Sequence, residues 1–249
     1  MLFTTPPDPD KLNVLCFPYA GGNADFYNRW NPRLPDDICF HAVQLPGRGK
    51  HIELPLIGTM ELLITLLMDE LTLFRHCRVA LLGTSMGGWI AFQLAQHLQM
   101  AGHCVQPQCL ILCSTAHPDY RVHLPDLSGL DRASAIERLG IFNPGCLSVL
   151  GNPELADIFL PILRADLNLC RRWRFQARPV LSCDMLAYHG ASDRIVDYAM
   201  MPAWSTLTRG VFTLDRVHGD HFFTERPEQS FLEHLKKNLT ALHSPLAIT

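Results

Sequence analysis

Short apolar runs alternate with longer stretches of helical spacing along most of this chain. Strand-like runs fall at 13–17, 38–43, 78–83, 108–114, 183–189 and 210–215. Apolar residues recur every three or four positions in 25–31, 60–75, 88–101 and 228–242, and less regularly after Asp197. Strand and helix in regular alternation predict an α/β fold, a mostly parallel sheet flanked by helices. The alternation breaks between 117 and 179, where helical segments at 131–139 and 155–169 are punctuated by Asn143-Pro144-Gly145 and Gly151-Asn152-Pro153. An insertion of this size after a sheet strand reads as a helical lid over a site, with plain coverage of the core as the other reading. The 249 residues suit one domain, 1–249, with the lid at 117–179 inside it.

Composition narrows the classes. A net charge of −3 and no long basic run argue against nucleic acid as a partner. The first eleven residues are rich in Pro and Asp and lack the layout of a signal peptide. The apolar stretch 60–74 is interrupted by Glu61, Asp69 and Glu70, which suits a core or amphipathic helix and not membrane insertion. Nine cysteines, without paired spacing, include Cys16, Cys109, Cys113 and Cys183 in strand-like runs. There a reduced thiol acts as a small apolar residue, so a cytoplasmic setting is expected. Nothing in the chain specifies an oligomeric state.

The candidate chemistry centres on Gly83-Thr84-Ser85-Met86-Gly87, a G-x-S-x-G pattern. Before it lies the strand-like Arg78-Val79-Ala80-Leu81-Leu82, and after it a helical pattern that Gly102 can cap. Strand, sharp turn and helix are the context of a nucleophile elbow, which makes Ser85 the candidate nucleophile. A serine needs a base, and the base an orienting carboxylate. On such a sheet the chain order is Ser, then acid, then His. The run at 183–189 leads into Gly190-Ala191-Ser192-Asp193, and the next leads into His218-Gly219-Asp220-His221-Phe222-Phe223. Asp193 is the preferred acid over Asp197, which is expected to open the following helix; Asp184 and Asp215 fit the order less well. His221 is the preferred base over His218, with Asp220 capping or orienting the loop. His41, His76, His97, His103, His234 and His243 read as structural or solvated. Oxyanion donors are expected at the Met86 amide and in Tyr19-Ala20-Gly21, with Ala20 preferred and Tyr19 or Gly21 left open.

Five segments occur in order: Phe17-Pro18-Tyr19-Ala20-Gly21-Gly22, Leu45-Pro46-Gly47-Arg48-Gly49, the elbow, Arg164-Ala165-Asp166-Leu167, and Gly219-Asp220-His221-Phe222-Phe223. Together they resemble a type II thioesterase of the α/β-hydrolase superfamily, of the kind that accompanies nonribosomal peptide and polyketide synthases. The resemblance runs from about Leu12 to Leu242. It implies Ser85, Asp193 and His221 as the triad, oxyanion amides at Ala20 and Met86, and a helical lid. This chain departs at Thr84, where the family usually has His, at Asp220, often Gly, and at Asn143-Pro144-Gly145, where Gly-Gly-Thr-Pro is common.

The implied activity is hydrolysis of acyl thioesters on the phosphopantetheine arm of an acyl- or peptidyl-carrier protein, through an acyl-Ser85 intermediate. It needs no metal and no organic cofactor. The implied role is to clear stalled or wrongly loaded acyl groups. Release of medium-chain fatty acyl groups, general carboxylesterase activity and acyl transfer to another nucleophile are the enzymatic alternatives. A non-catalytic protein on a hydrolase scaffold usually lacks a triad member, and all three candidates are present here. Carrier proteins are acidic, and Arg171, Arg172, Arg174 and Arg178 cluster at the end of the expected lid. They read either as a docking patch or as a solvated face. Leu45-Pro46-Gly47-Arg48-Gly49 either shapes the site floor or simply turns the chain.

Overall fold

Side-chain alternation along one sheet builds the core on both of its faces. The computed structural model describes residues 2–33, 35–120 and 122–241. Its elements are β1 (Leu12–Phe17), α1 (Asp25–Asn28), β2 (Ile38–Ala42), α2 (Met60–Leu71), β3 (Arg78–Thr84) and α3 (Met86–Ala101). They continue with β4 (Cys109–Cys113), α4 (Arg132–Phe142), α5 (Leu147–Leu150), α6 (Pro153–Arg172), β5 (Asp184–Gly190), β6 (Phe212–Val217) and α7 (Gln229–Ala241). The six strands form one sheet in the order β2-β1-β3-β4-β5-β6, every pair parallel. The expected helix end at Leu242, and His243, lie outside the described residues.

Because strand side chains alternate, Leu15, Leu81, Leu110 and Leu112 pack toward α2 and α3, while Val14, Leu82, Ile111 and Tyr188 pack toward α1 and α7. Both faces being covered explains why the strands read as near-continuous apolar runs rather than as alternating ones. Cys16, Cys109 and Cys113 are fully buried on the second face. Burial pushes their thiols up, so they serve as apolar packing groups.

Two expectations shift. The last strand is Phe212–Val217, two residues later than its apolar pattern suggests. The Val211 amide donates to Asp184 Oδ1 (2.8 Å), and pairing begins with Met185 opposite Phe212. After Asp197 the chain forms short 3₁₀ turns, Tyr198–Met200 and Pro202–Leu207, in place of a helix. Asp197 caps the first, accepting the Ala199 amide at 3.0 Å. Between β4 and β5, α4 to α6 form their own apolar cluster around Leu139, Leu150, Leu160 and Leu167. Asn152 begins α6 by accepting the Glu154 and Leu155 amides, with Pro153 at the first helical position. Among the described residues, no helix is long and apolar enough to cross a membrane.

Candidate active site

Ser85 sits between β3 and α3 with φ 53° and ψ −115°, a conformation an L-residue adopts only when its surroundings enforce it. The enforcement is close packing. A Cβ on Gly83 would lie 2.1 Å from the Gly87 carbonyl oxygen, and one on Gly87 would lie 2.0 Å from that of Phe17. The elbow therefore rests directly on the end of β1, where the Tyr19-Ala20-Gly21 loop begins. The Ser85 amide donates to the Cys113 carbonyl (2.9 Å), and the Thr115 hydroxyl to the Ser85 carbonyl (3.3 Å), so β4 grips the turn from the other side.

The acid and the imidazole come from the loops after β5 and β6. His221 Nδ1 lies 2.9 Å from Asp193 Oδ2, with both side chains buried. Burial raises the Asp193 carboxyl. The hydrogen bond and charge of His221, with the Val196 and Ile195 amides on Oδ1 (2.9 and 2.8 Å), outweigh that and hold it below its ordinary range. His218 borders the same cleft but does not meet the acid: its ring is mostly exposed and pairs with Glu228 at 2.5 Å. Asp220 Oδ1 accepts the Phe222 amide (2.8 Å), and Phe222 stacks edge-on against both His221 and Tyr19. Asp184 and Asp215 are engaged with Val211 and His234.

Ser85, Met86, Ala20 and His221 open into one cleft of about 920 Å³. Met86 is the first residue of α3, where amides have no helical acceptor. Among the described residues, nothing accepts the Ala20 amide. Gly21 is no longer an open alternative, because its amide donates to Asp166 Oδ2 at 2.7 Å. The far side of the cleft is apolar, lined by Leu139, Phe142, Val149, Phe159 and Leu163 from the insertion. Cys146 and Cys170 also line it, but burial raises both thiols, which makes them poor nucleophiles.

Two features of the site were not readable as site features in the sequence. Thr84, fully buried, holds its hydroxyl 2.7 Å from Tyr27 Oη and 3.1 Å from Thr224 Oγ1, and Tyr27 also donates to the Phe17 carbonyl (3.2 Å). This hydroxyl chain joins the β1 loop, the elbow and the histidine loop at the position where the resembled family usually carries His. The other is Asp166, whose bond to Gly21 brings α6 against the β1 loop. Of the arginine cluster, Arg171 is paired with Asp126, and Arg174 Nη1 turns back to the carbonyls of Arg171 (2.5 Å) and Trp173 (2.9 Å). Arg172 is exposed, and Arg178 lies against the His97 ring.

A parallel sheet with a strained serine elbow, a buried acid–histidine pair and free amides defines an α/β-hydrolase. Residues 13–239 match the family model for the thioesterase domain. Gramicidin S biosynthesis protein GrsT of Aneurinibacillus migulanus is 30% identical over 236 residues, covering 94% of this chain and 91% of that protein. The RedJ thioesterase from the prodiginine pathway of Streptomyces coelicolor is 32% identical, with a TM-score of 0.84 over 94% of this chain and 93% of that one. YbtT, a type II thioesterase from the yersiniabactin pathway, is 27% identical, with a TM-score of 0.81 over 94% and 95%. The chain belongs to the thioesterase-domain family.

Proposed function

We propose that this protein is a type II thioesterase that hydrolyses acyl thioesters from the phosphopantetheine arm of a carrier protein in nonribosomal peptide or polyketide synthesis. The buried Asp193–His221 pair, opening through His221 into the cleft that also holds the strained Ser85, carries the reading. His221 takes the Ser85 proton as the hydroxyl attacks the thioester carbonyl, and the Ala20 and Met86 amides hold the oxyanion. The C–S bond breaks and the thiol leaves with that proton. Water then attacks the acyl-Ser85 ester, His221 again moving the proton, and the carboxylic acid departs. The helices between β4 and β5 act as a lid, their apolar side chains accepting the acyl group. The exposed Arg172 and Arg174 at the end of α6 offer positive charge to an acidic carrier protein in the cytoplasm.

Ser85→Ala is expected to lower hydrolysis of an acyl-carrier substrate by at least about 10³-fold with the fold intact. Hydrolysis at the parent rate would overturn the mechanism.

A further inference from the structure

Arg48 and Asp166 form an ion pair almost removed from solvent, at 4% and 3% exposure. The pair is bidentate: Arg48 Nη1 to Asp166 Oδ2 at 2.6 Å and Nη2 to Oδ1 at 2.7 Å. A pair this dry returns little net stability over apolar residues of the same volume. Its other contacts account for it better. Asp166 Oδ2 also accepts the Gly21 amide (2.7 Å), and Arg48 Nη1 donates to the Gly22 carbonyl (3.2 Å). Two consecutive residues of the β1 loop, the two that follow Ala20, are thus clamped by one side-chain pair.

The surroundings stiffen the clamp. Gly21 has φ +82°, and a Cβ there would stand 2.5 Å from Leu163 Cδ2, so the loop is pressed onto α6. Gln44 ties the two loops together, its Nε2 donating to the Arg48 carbonyl (3.1 Å) and its Oε1 accepting the Ala24 amide (3.3 Å). On α6, Leu163 and Leu167 line the cleft on either side of Asp166 in sequence. The helix that faces the acyl group therefore also holds the loop that carries the Ala20 amide.

We infer that Arg48 and Asp166 are positioning residues that aim the Ala20 amide at the developing oxyanion. This rests on the reading of Ala20 as an oxyanion donor. The ionic character follows from the task. Gly21 needs a strong acceptor, and a lone carboxylate beside the site would oppose the negative charge that develops on the substrate oxygen. Arg48 cancels that charge, and Oδ2, with its two lone pairs, accepts the Gly21 amide alongside Arg48 Nη1. The segments around Arg48 and Asp166, far apart in the chain, thus act on adjacent residues of the same loop, Asp166 on the Gly21 amide and Arg48 on the Gly22 carbonyl.

Two double variants separate positioning from packing. Arg48→Met with Asp166→Asn removes both charges and keeps an acceptor for the Gly21 amide. Arg48→Met with Asp166→Leu removes the acceptor as well. Both are compared for kcat per serine titrated with a fluorophosphonate, for KM, and for affinity toward an acyl trifluoromethyl ketone that forms a tetrahedral adduct. The Asn double is expected to keep kcat within about tenfold of the parent. The Leu double is expected to lose about a further 100-fold in kcat, with a matching loss of ketone affinity and little change in KM. Equal kcat and ketone affinity in the two doubles overturn the inference. Arg48→Lys gives the same reading with the buried charges kept: kcat and ketone affinity fall together by about tenfold, whereas lost stability at unchanged kcat also overturns it. If the parent itself is not labelled by the fluorophosphonate, the Ser85 reading fails instead.

Discussion

At the scale of single residues, the site depends on which of several chemically equivalent side chains the fold brings together. Asp193 and Asp197 lie four apart in one loop, but Asp193 meets the imidazole and Asp197 caps a 3₁₀ turn. His218 and His221 differ in the same way, one on the surface with Glu228 and one buried against the acid. Chain order singled out these residues in the sequence because each belongs to a short loop after a strand whose end is fixed. Arg48 and Asp166 had no such signal: they are 118 positions apart, and only the folded chain shows that they pair and hold the neighbouring Gly21 amide and Gly22 carbonyl. A residue away from the site sets the response to acid. His41 is buried, with Nδ1 2.7 Å from Thr5 Oγ1 and Nε2 2.9 Å from Asn13 Oδ1. Burial, partly offset by the Thr5 carbonyl and Asp8, holds its pKa below the ordinary value of about 6.5. His117 is lowered by burial too, with Asp119 opposing. The unfolded chain then binds more protons than the folded one just below pH 6.5, so stability falls as pH drops through that range. Urea unfolding at pH 7 and pH 5 is expected to show this loss, and His41→Gln to reduce it; an unchanged pH dependence in the variant would remove His41 from the account.

At the scale of elements, close backbone packing rather than side-chain chemistry shapes the elbow. The strand–turn–helix pattern was legible because a buried parallel strand reads as an apolar run and α3 carries helical spacing after it. What the pattern did not reveal is that Gly87 touches the Phe17 carbonyl, joining the nucleophile turn to the β1 loop. Gly87→Ala forces those two backbones apart. It is expected to destabilise the protein by about 1–3 kcal/mol in chemical denaturation and to lower kcat/KM by about 100-fold. Full activity in that variant would show that the contact is not needed. The boundaries that shifted have local physical reasons. The Asp184 carboxylate accepts the Val211 amide just where the apolar pattern alone would have β6 under way, and Pro202, which has no amide to donate, breaks the stretch that Asp197 opens into two short 3₁₀ turns.

At the scale of the whole molecule, the sheet presents the loops after β1, β3, β4, β5 and β6 to one cleft, and the helices between β4 and β5 line its far side. The doubly covered parallel sheet was readable from the alternation of patterns along the chain, since helices on both faces need apolar strands between them. The use of the arginine cluster was not readable, because spacing along a helix end does not say which charges are already paired. Arg171 is held by Asp126, which leaves Arg172 and Arg174 as the exposed charges at that end of α6. Arg172→Glu with Arg174→Glu is expected to raise KM for acyl-carrier substrates by about tenfold and to leave small acyl-pantetheine thioesters unaffected. An equal change for both substrates would locate the effect in the cleft instead.

The central claim is that the acyl group passes through Ser85. Rapid-quench mass spectrometry of the intact protein with an acyl-pantetheine thioester tests it most directly. The account predicts a transient mass increase equal to the acyl group, mapping to the peptide that contains Ser85 and missing in Ser85→Ala. Turnover without acylation of Ser85, or acylation of another residue, would contradict it.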